Sequence, residues 1–214
     1  KKCHIKKIMV NKDKILKYIV TTQDILEIVE KITENSMYSY QKQICSGYIT
    51  LKGGHRVGIT GNVVMEENKI ININYIYSLN FRIARQIIGA SEKIVKEIIN
   101  KDKVYNTLIV SQPGAGKTTI LRDLIRNIST RKTIGVVDER GEIAAMYKNE
   151  PQNDMGLKVD ILSNISKDLG MKMLVRSMSP DIICADEIGT KEDIEAIKYA
   201  ITSGVKGIFT AHGD

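Results

Sequence analysis

The sequence contains no tryptophan and only two phenylalanines, and aromatic residues make up just 5% of its 214 residues. Proteins that bind single-stranded nucleic acid without sequence preference interleave aromatic with basic side chains, because bases stack on the rings. This chain lacks that pattern, although its formal net charge is +7 and seven lysines lie within its first 17 residues. We interpret the lysines, which are spread along the whole chain, as a solvated surface, with an anionic partner as the alternative.

Long apolar runs and clustered metal ligands are also lacking. No stretch of about 18 apolar residues occurs, and no apolar segment follows the N-terminal lysines, so we expect neither a spanning helix nor a signal peptide. The cysteines and histidines are scattered, at Cys3, Cys45, Cys184, His4, His55 and His212. Their spacing argues against a disulfide framework and against a zinc site, and a cytoplasmic protein is expected.

What the sequence does contain is a phosphate-binding loop in residues 111–119, directly after the apolar run 107–110. The chemistry needs small residues whose N–H groups surround phosphate oxygens, a lysine that reaches the β and γ phosphates, and a hydroxyl that holds Mg²⁺. Apolar residues at helical spacing follow, and they direct the positive end of a helix at the same phosphates. The predicted nucleotide ligands are Gly114, Ala115, Gly116, Lys117, Thr118 and Thr119. Ser111 replaces the glycine at the first position of the pattern.

The organisation of the chain changes near residue 100. Residues 21–34 have the apolar spacing of an amphipathic helix, capped by Thr21 or Thr22. Residues 48–60 resemble a hairpin, and further strands are expected near residues 63–65 and 69–73. A short helix opening at Ser91 and a polar connector follow. Beyond the connector, strands at 107–110, 133–137, 182–185 and 207–210 alternate with helices, and Thr190 to Asp193 resembles a capping box. We predict an α+β domain over residues 1–100 and an α/β core with a mostly parallel sheet over residues 101–214.

Two acids end the third of these strands, where ligands bind in such sheets. In P-loop ATPases an acid here supports Mg²⁺ and a second one orients and activates the attacking water. We therefore predict Asp186 as a metal ligand beside Thr118, and Glu187 as the base. The alternative is an acidic pair that caps the following turn.

Further polar residues end the second and fourth strands. Glu139 and Arg140, after Asp138, would offer another carboxylate pair and a guanidinium to the same edge of the sheet, unless this segment is a plain surface turn. His212 would lie where the state of the γ phosphate can be sensed, although a lone histidine is usually a satisfied surface or core residue.

Arginines supply the remaining charge stabilisation in this chemistry, from the same chain or from a neighbouring subunit. The candidates are Arg82, Arg85, Arg140 and Arg176. For each of them a solvated or ion-paired side chain is the alternative.

The order of these segments resembles the secretion and pilus traffic ATPases. Their P-loop, Asp box, Walker B and His box correspond in order to residues 111–119, 137–140, 186–189 and 210–213. Within that class, residues 46–50, 54–58 and 78–85 are similar to the stage III sporulation AA family of endospore-forming bacteria. The resemblance covers nearly the whole chain and implies a RecA-like P-loop ATPase core.

The resemblance also implies a function. It suggests an ATP- and Mg²⁺-dependent motor in a homo-oligomeric ring, on the mother-cell side of a membrane channel that links mother cell and forespore. An ATPase core of this kind is expected to continue beyond residue 214, so we expect the chain to be part of a longer protein. Two alternatives stay open: a RecA-like nucleic-acid-dependent ATPase, and a scaffold that binds nucleotide without turnover, for which Ser111 is the only hint.

Overall fold

The computed structural model of the protein describes residues 6–10 and 14–213, with side chains from Tyr18 onward. Cys3 and His4, named above among the scattered residues, lie outside this description. The chain divides between Ala84 and Arg85 into two compact units, here termed unit 1 and unit 2. Within the described residues, no helix combines the length and the apolar character needed to cross a bilayer.

Unit 1 is built from antiparallel strands and two helices. Its elements are β1 (Lys6–Val10), β2 (Lys14–Val20), α1 (Thr22–Ile32), a 3-10 turn (Met37–Tyr40), α2 (Gln41–Cys45), β3 (Tyr48–Thr50), β4 (Arg56–Glu66) and β5 (Lys69–Arg82). β1 pairs with β2, and β3, β4 and β5 form a sheet in that order. α1 and α2 cover one side of this sheet, where Ile25, Val29, Ile44 and Ile49 are buried.

The local patterns of unit 1 follow the sequence closely. Thr21 caps α1, and its capping box with Asp24 is complete. The hairpin expected over residues 48–60 is the antiparallel pair β3 and β4, in which Tyr48 faces Gly58. The short strands expected near residues 63–65 and 69–73 are parts of the longer β4 and β5.

Unit 2 is an α/β core. Its elements are α3 (Val95–Ile98), β6 (Ile99–Asn100), β7 (Lys103–Val104), β8 (Thr107–Ser111), α4 (Lys117–Ile128), β9 (Ile134–Asp138), β10 (Val159–Ser163), α5 (Lys167–Ser177), β11 (Ile182–Ala185), α6 (Lys191–Thr202) and β12 (Lys206–His212). Five strands pair in parallel in the order β10-β9-β11-β12-β8, so their carboxyl ends share one edge.

The central strands β9 and β11 are buried on both faces of the parallel sheet, which explains their uninterrupted apolar runs. In β11, Ile182 and Cys184 pack with the core that includes Leu121 and Ile125 of α4. Ile183 and Ala185 point to the other face and pack with α5 and α6. The predicted strands and the capping box at Thr190 are confirmed. β10 was not predicted, because its five residues are all half-buried and carry no clear alternation.

The boundary predicted near residue 100 and the division at residue 84 differ by the segment 85–100. This segment packs on unit 2 because the buried Asp123 carboxylate of α4 accepts bonds from Ser91 N at 2.8 Å, Ser91 Oγ at 2.6 Å and Gly89 N at 3.1 Å. The expected helix here is short, Val95–Ile98. A buried polar anchor of this kind leaves no periodic signal in the sequence.

Candidate nucleotide-binding site

The phosphate loop joins β8 to α4 at the carboxyl edge of the sheet. Gly114 has φ of 77° and Gly116 has φ of 92°, and an added Cβ would meet no atom within 4 Å at either position. Glycine is therefore required here by the left-handed backbone and not by lack of space. α4 begins at Lys117, so its free N–H groups and its positive dipole end face the loop.

Ser111 departs from the pattern without strain. It ends β8, where it pairs with His212, and it is not among the residues with positive φ. Its conformation is thus one that any residue adopts, and the glycine of the usual pattern is not needed for the backbone at this position.

Lys117 is folded back onto the loop. Its side chain is only 6% exposed, and Nζ donates to the carbonyl oxygens of Ser111 at 2.7 Å and Gln112 at 3.0 Å. Nζ also lies 3.1 Å from Nδ1 of His212. Because an ammonium only donates, Nδ1 must accept, which assigns the imidazole proton to Nε2.

Asp186 lies between two threonine hydroxyls. Thr118 Oγ1 donates to Asp186 Oδ2 at 2.6 Å, and Thr210 Oγ1 bonds the other carboxylate oxygen. Thr118 lies in the first turn of α4 and Asp186 follows β11, so the two predicted metal ligands are brought together. Hydroxyl and carboxylate oxygens are the donors that Mg²⁺ prefers, and this pair fits that ion.

Glu187 is the centre of a polar cluster beside this pair. His212 Nε2 lies 3.2 Å from one carboxylate oxygen, and Arg140 forms an ion pair with the other. Glu187 has φ of 53°, a conformation that costs a residue with a Cβ about 1–2 kcal/mol. Eleven other non-glycine residues of the described chain also have positive φ, so the polar contacts and not the backbone angle distinguish Glu187.

Asp138 and Glu139 line the same cavity as Asp186 and Glu187, and each is held by hydrogen bonds. Asp138 is 2% exposed and accepts bonds from four consecutive backbone N–H groups, those of residues 142–145. Glu139 accepts a bond from Lys167 Nζ at 2.8 Å. Residues 139 and 140 form a turn, and from it Arg140 forms the ion pair with Glu187.

The remaining predicted arginines are found in α5, in β5 and at the start of unit 2. Arg176, in the last turn of α5, donates to the Tyr199 hydroxyl at 3.2 Å near the amino ends of the strands, opposite the phosphate loop. Arg176 therefore does not reach the phosphate loop of the same chain. Arg82 ends β5 in unit 1, and Arg85 opens unit 2; both are exposed.

Three residues of the site were missed by sequence reasoning. Thr210 is fully buried and bonds the Asp186 carboxylate and the backbone N–H of Glu187, whereas the strand-end pattern points only to His212. Lys167 lies 2.8 Å from Glu139 and 3.9 Å from Asp193. Arg122 donates to the carbonyl oxygens of residues 142 and 143, and burial lowers its pKa while the charges of nearby carboxylates oppose that effect. α4 also carries Lys117, Asp123 and Arg126, so its sequence does not single out Arg122.

Comparison with known sequences identifies the family. A profile of the family described as "Sporulation stage III, protein AA" matches residues 3–214. The chain belongs to this family. The stage III sporulation protein AA of Bacillus subtilis (strain 168) is 40% identical over 204 residues, which are 92% of this chain and 66% of that protein. The chain thus spans just under two thirds of the length of that relative.

Solved structures add the fold of this sporulation family member. The Legionella pneumophila ATPase DotB aligns over 94% of this chain and 56% of its own, with a TM-score of 0.55 and 14% identity. The pilus retraction motor PilT, solved with bound ADP, aligns over 92% of this chain and 58% of its own, with a TM-score of 0.57 and 17% identity. Identities this low show the fold alone. The predicted α/β core with a parallel sheet and a preceding α+β region is confirmed, and its fold is that of these secretion-type ATPases.

Proposed function

We propose that this protein binds ATP with Mg²⁺ and hydrolyses it as a secretion-type motor during sporulation. One observation carries the proposal: Lys117 and Thr118 of the loop contact His212 and Asp186, which are 95 and 68 residues away in the chain. Sites that transfer phosphoryl groups to water need this set of cation, metal ligands and acceptor at one place. The ATPase fold and the family membership support it.

Each group has a proposed role. The backbone N–H groups of the loop, including those of Ala115 and Thr119, bind phosphate oxygens, and Lys117 exchanges its carbonyl partners for the β and γ phosphates. Thr118 and Asp186 hold Mg²⁺, which would neutralise phosphate charge when bound. Glu187 accepts the proton of the attacking water.

In this proposal, the neighbours of Glu187 determine whether its carboxylate is available to accept a proton from the attacking water. Arg140 and His212 hold its carboxylate in the conformation described, and both would respond to the γ phosphate once it reaches the loop. Glu139 is the next candidate for the base. Arg82 and Arg85 stay candidate phosphate contacts, and Arg176 fits only a nucleotide bound by a neighbouring subunit.

The proposed cellular role follows from the family. A homo-oligomeric ring of this protein, on the cytoplasmic, mother-cell side of a membrane channel, would energise exchange between mother cell and forespore. The membership does not favour the alternative of a nucleic-acid-dependent ATPase.

Steady-state ATP turnover of Lys117→Ala and Glu187→Gln tests the proposal. Lys117→Ala should lose nucleotide binding, measured with a fluorescent ATP analogue. Glu187→Gln should keep binding and lose about 100-fold or more in kcat, because only the transition state needs the base. The matched control is Glu195→Gln on the exposed face of α6, where the ion pair with Lys198 lies in solvent.

Three outcomes would count against parts of this proposal. Turnover unchanged in Glu187→Gln would move the role of base to Glu139. Binding without turnover in the wild type would favour the scaffold alternative. Strong, salt-sensitive stimulation by single-stranded DNA would favour the nucleic-acid-dependent ATPase.

A further inference from the structure

Thr210 connects three consecutive residues that follow β11. Its side chain is fully buried at the carboxyl end of β12. Its hydroxyl oxygen accepts from the backbone N–H of Glu187 at 2.8 Å, and its carbonyl oxygen accepts from the N–H of Ile188 at 2.8 Å. The same hydroxyl also bonds the Asp186 carboxylate.

The direction of these bonds is determined by their chemistry. A backbone N–H can only donate, so the Thr210 oxygen accepts from Glu187 and its single hydrogen remains for Asp186. With the hydroxyl of Thr118 on the other oxygen, both oxygens of the Asp186 carboxylate are oriented, one from α4 and one from β12.

Thr210 also accounts for the backbone of Glu187. Glu187 has φ of 53°, a conformation that persists only where the surroundings enforce it. The two bonds from consecutive N–H groups to Thr210 bracket this residue and fix the direction in which its side chain leaves the strand. That direction brings the Glu187 carboxylate to Arg140 and His212.

We propose that Thr210 is a positioning residue that sets both acids of the site, orienting Asp186 toward the metal and holding Glu187 in the conformation needed to activate water. The inference rests on the proposed ATPase function and deepens it. Partners that orient a metal ligand without touching the metal typically contribute about 10–100-fold in metal affinity or activity.

Two substitutions separate the effect of the Thr210 hydroxyl from the effect of the side-chain shape. Thr210→Val keeps the volume and removes both hydroxyl bonds, whereas Thr210→Ser keeps them. The matched control is Thr33→Val in unit 1, because Thr33 is also fully buried and its hydroxyl donates to the carbonyl of Val29 at 2.8 Å. Thr33→Val measures the effect of losing a buried hydroxyl at another position of the chain.

The measurements are turnover, the Mg²⁺ concentration for half-maximal activity, and amide hydrogen exchange at Glu187. Thr210→Val should lower kcat by about 10–100-fold, raise the Mg²⁺ requirement and speed exchange at Glu187, with a smaller change in the KM for ATP. Thr210→Ser should restore all three quantities toward wild type. Thr33→Val should leave all three unchanged.

The outcomes are distinct. Turnover and Mg²⁺ requirement that stay at wild-type values in Thr210→Val would overturn the inference, even if the amide exchanges faster. Loss of activity in Thr210→Ser equal to that in Thr210→Val would also overturn it. Absence of turnover in the wild type would overturn the proposed function, while exchange at Glu187 would still decide whether Thr210 positions that residue.

Discussion

Asp123 is a buried acid of unit 2 whose hydrogen bonds favour its charged form. Its carboxylate is 1% exposed, and burial by itself would raise its pKa. Hydrogen bonds from Ser91, Arg126 and Gly89 outweigh that effect and lower the pKa from 3.8 to about 2. The unfolded chain therefore binds this proton more readily than the folded one.

A pH dependence follows from this difference. The contribution of Asp123 is fully present above its unfolded pKa and is lost as the pH falls from about 5 toward 2, by an amount on the order of 2 kcal/mol. Urea denaturation of wild type and Asp123→Asn across this range should show a steeper loss in the wild type. Parallel curves would contradict the assigned pKa.

At the scale of elements, the Asp138 carboxylate anchors the loop that follows β9 through hydrogen bonds. Its carboxylate accepts from the four N–H groups of residues 142–145, and Arg122 of α4 binds the carbonyl oxygens of residues 142 and 143. The N–H groups of the loop are thus bound by the end of β9, and two of its carbonyl oxygens are bound by the phosphate-loop helix. This arrangement holds Arg140 beside Glu187.

Asp138→Ala should therefore act first on stability. Leaving buried N–H groups unsatisfied is expected to lower the free energy of unfolding by about 3 kcal/mol, measured by urea denaturation. Glu195→Ala, on an exposed surface, should change it by less than about 0.5 kcal/mol. Lost turnover at unchanged stability would instead support the chemical role that the sequence suggested for Asp138.

At the scale of the molecule, each unit has a core of its own. Ile49 is fully buried in the core of unit 1 and Ile182 in that of unit 2. Every residue of the cluster around Lys117 and Glu187 belongs to unit 2. Bound nucleotide should therefore stabilise unit 2 directly.

Hydrogen exchange along the chain checks this prediction. Mg²⁺-ATP at 100 times its Kd should slow exchange in the core of unit 2 by an amount equivalent to about 2.7 kcal/mol. Ile182→Ala should speed exchange there, and Ile49→Ala should speed it in unit 1, each corresponding to about 2–5 kcal/mol. Equal effects of both variants on both units would mean that the chain unfolds as one cooperative body.

Short-range patterns in the sequence predicted much of this fold. The glycines of the loop, the apolar spacing of α4 and the capping boxes at Thr21 and Thr190 are local, because each involves residues within one or two turns. The strand-end motifs containing Asp186, Glu187 and His212 could be placed at one edge because parallel strands share that edge. β10 was not predicted, because an edge strand with half-buried residues has no strong hydrophobic period.

The sequence by itself determined the phosphate loop, the alternation that makes a parallel sheet and the family to which the chain belongs. Only the tertiary structure decided how the polar groups are paired: that Asp138 supports a loop, that Arg176 lies away from the phosphate loop, and that Thr210 connects both acids. The physical reason is the range of these interactions. A hydrogen bond depends on atoms brought together by the whole fold, and no local period records which side chain will be its partner. The loop of residues 111–119 can be predicted from the sequence, whereas the contact between Lys117 and His212 depends on the folded sheet.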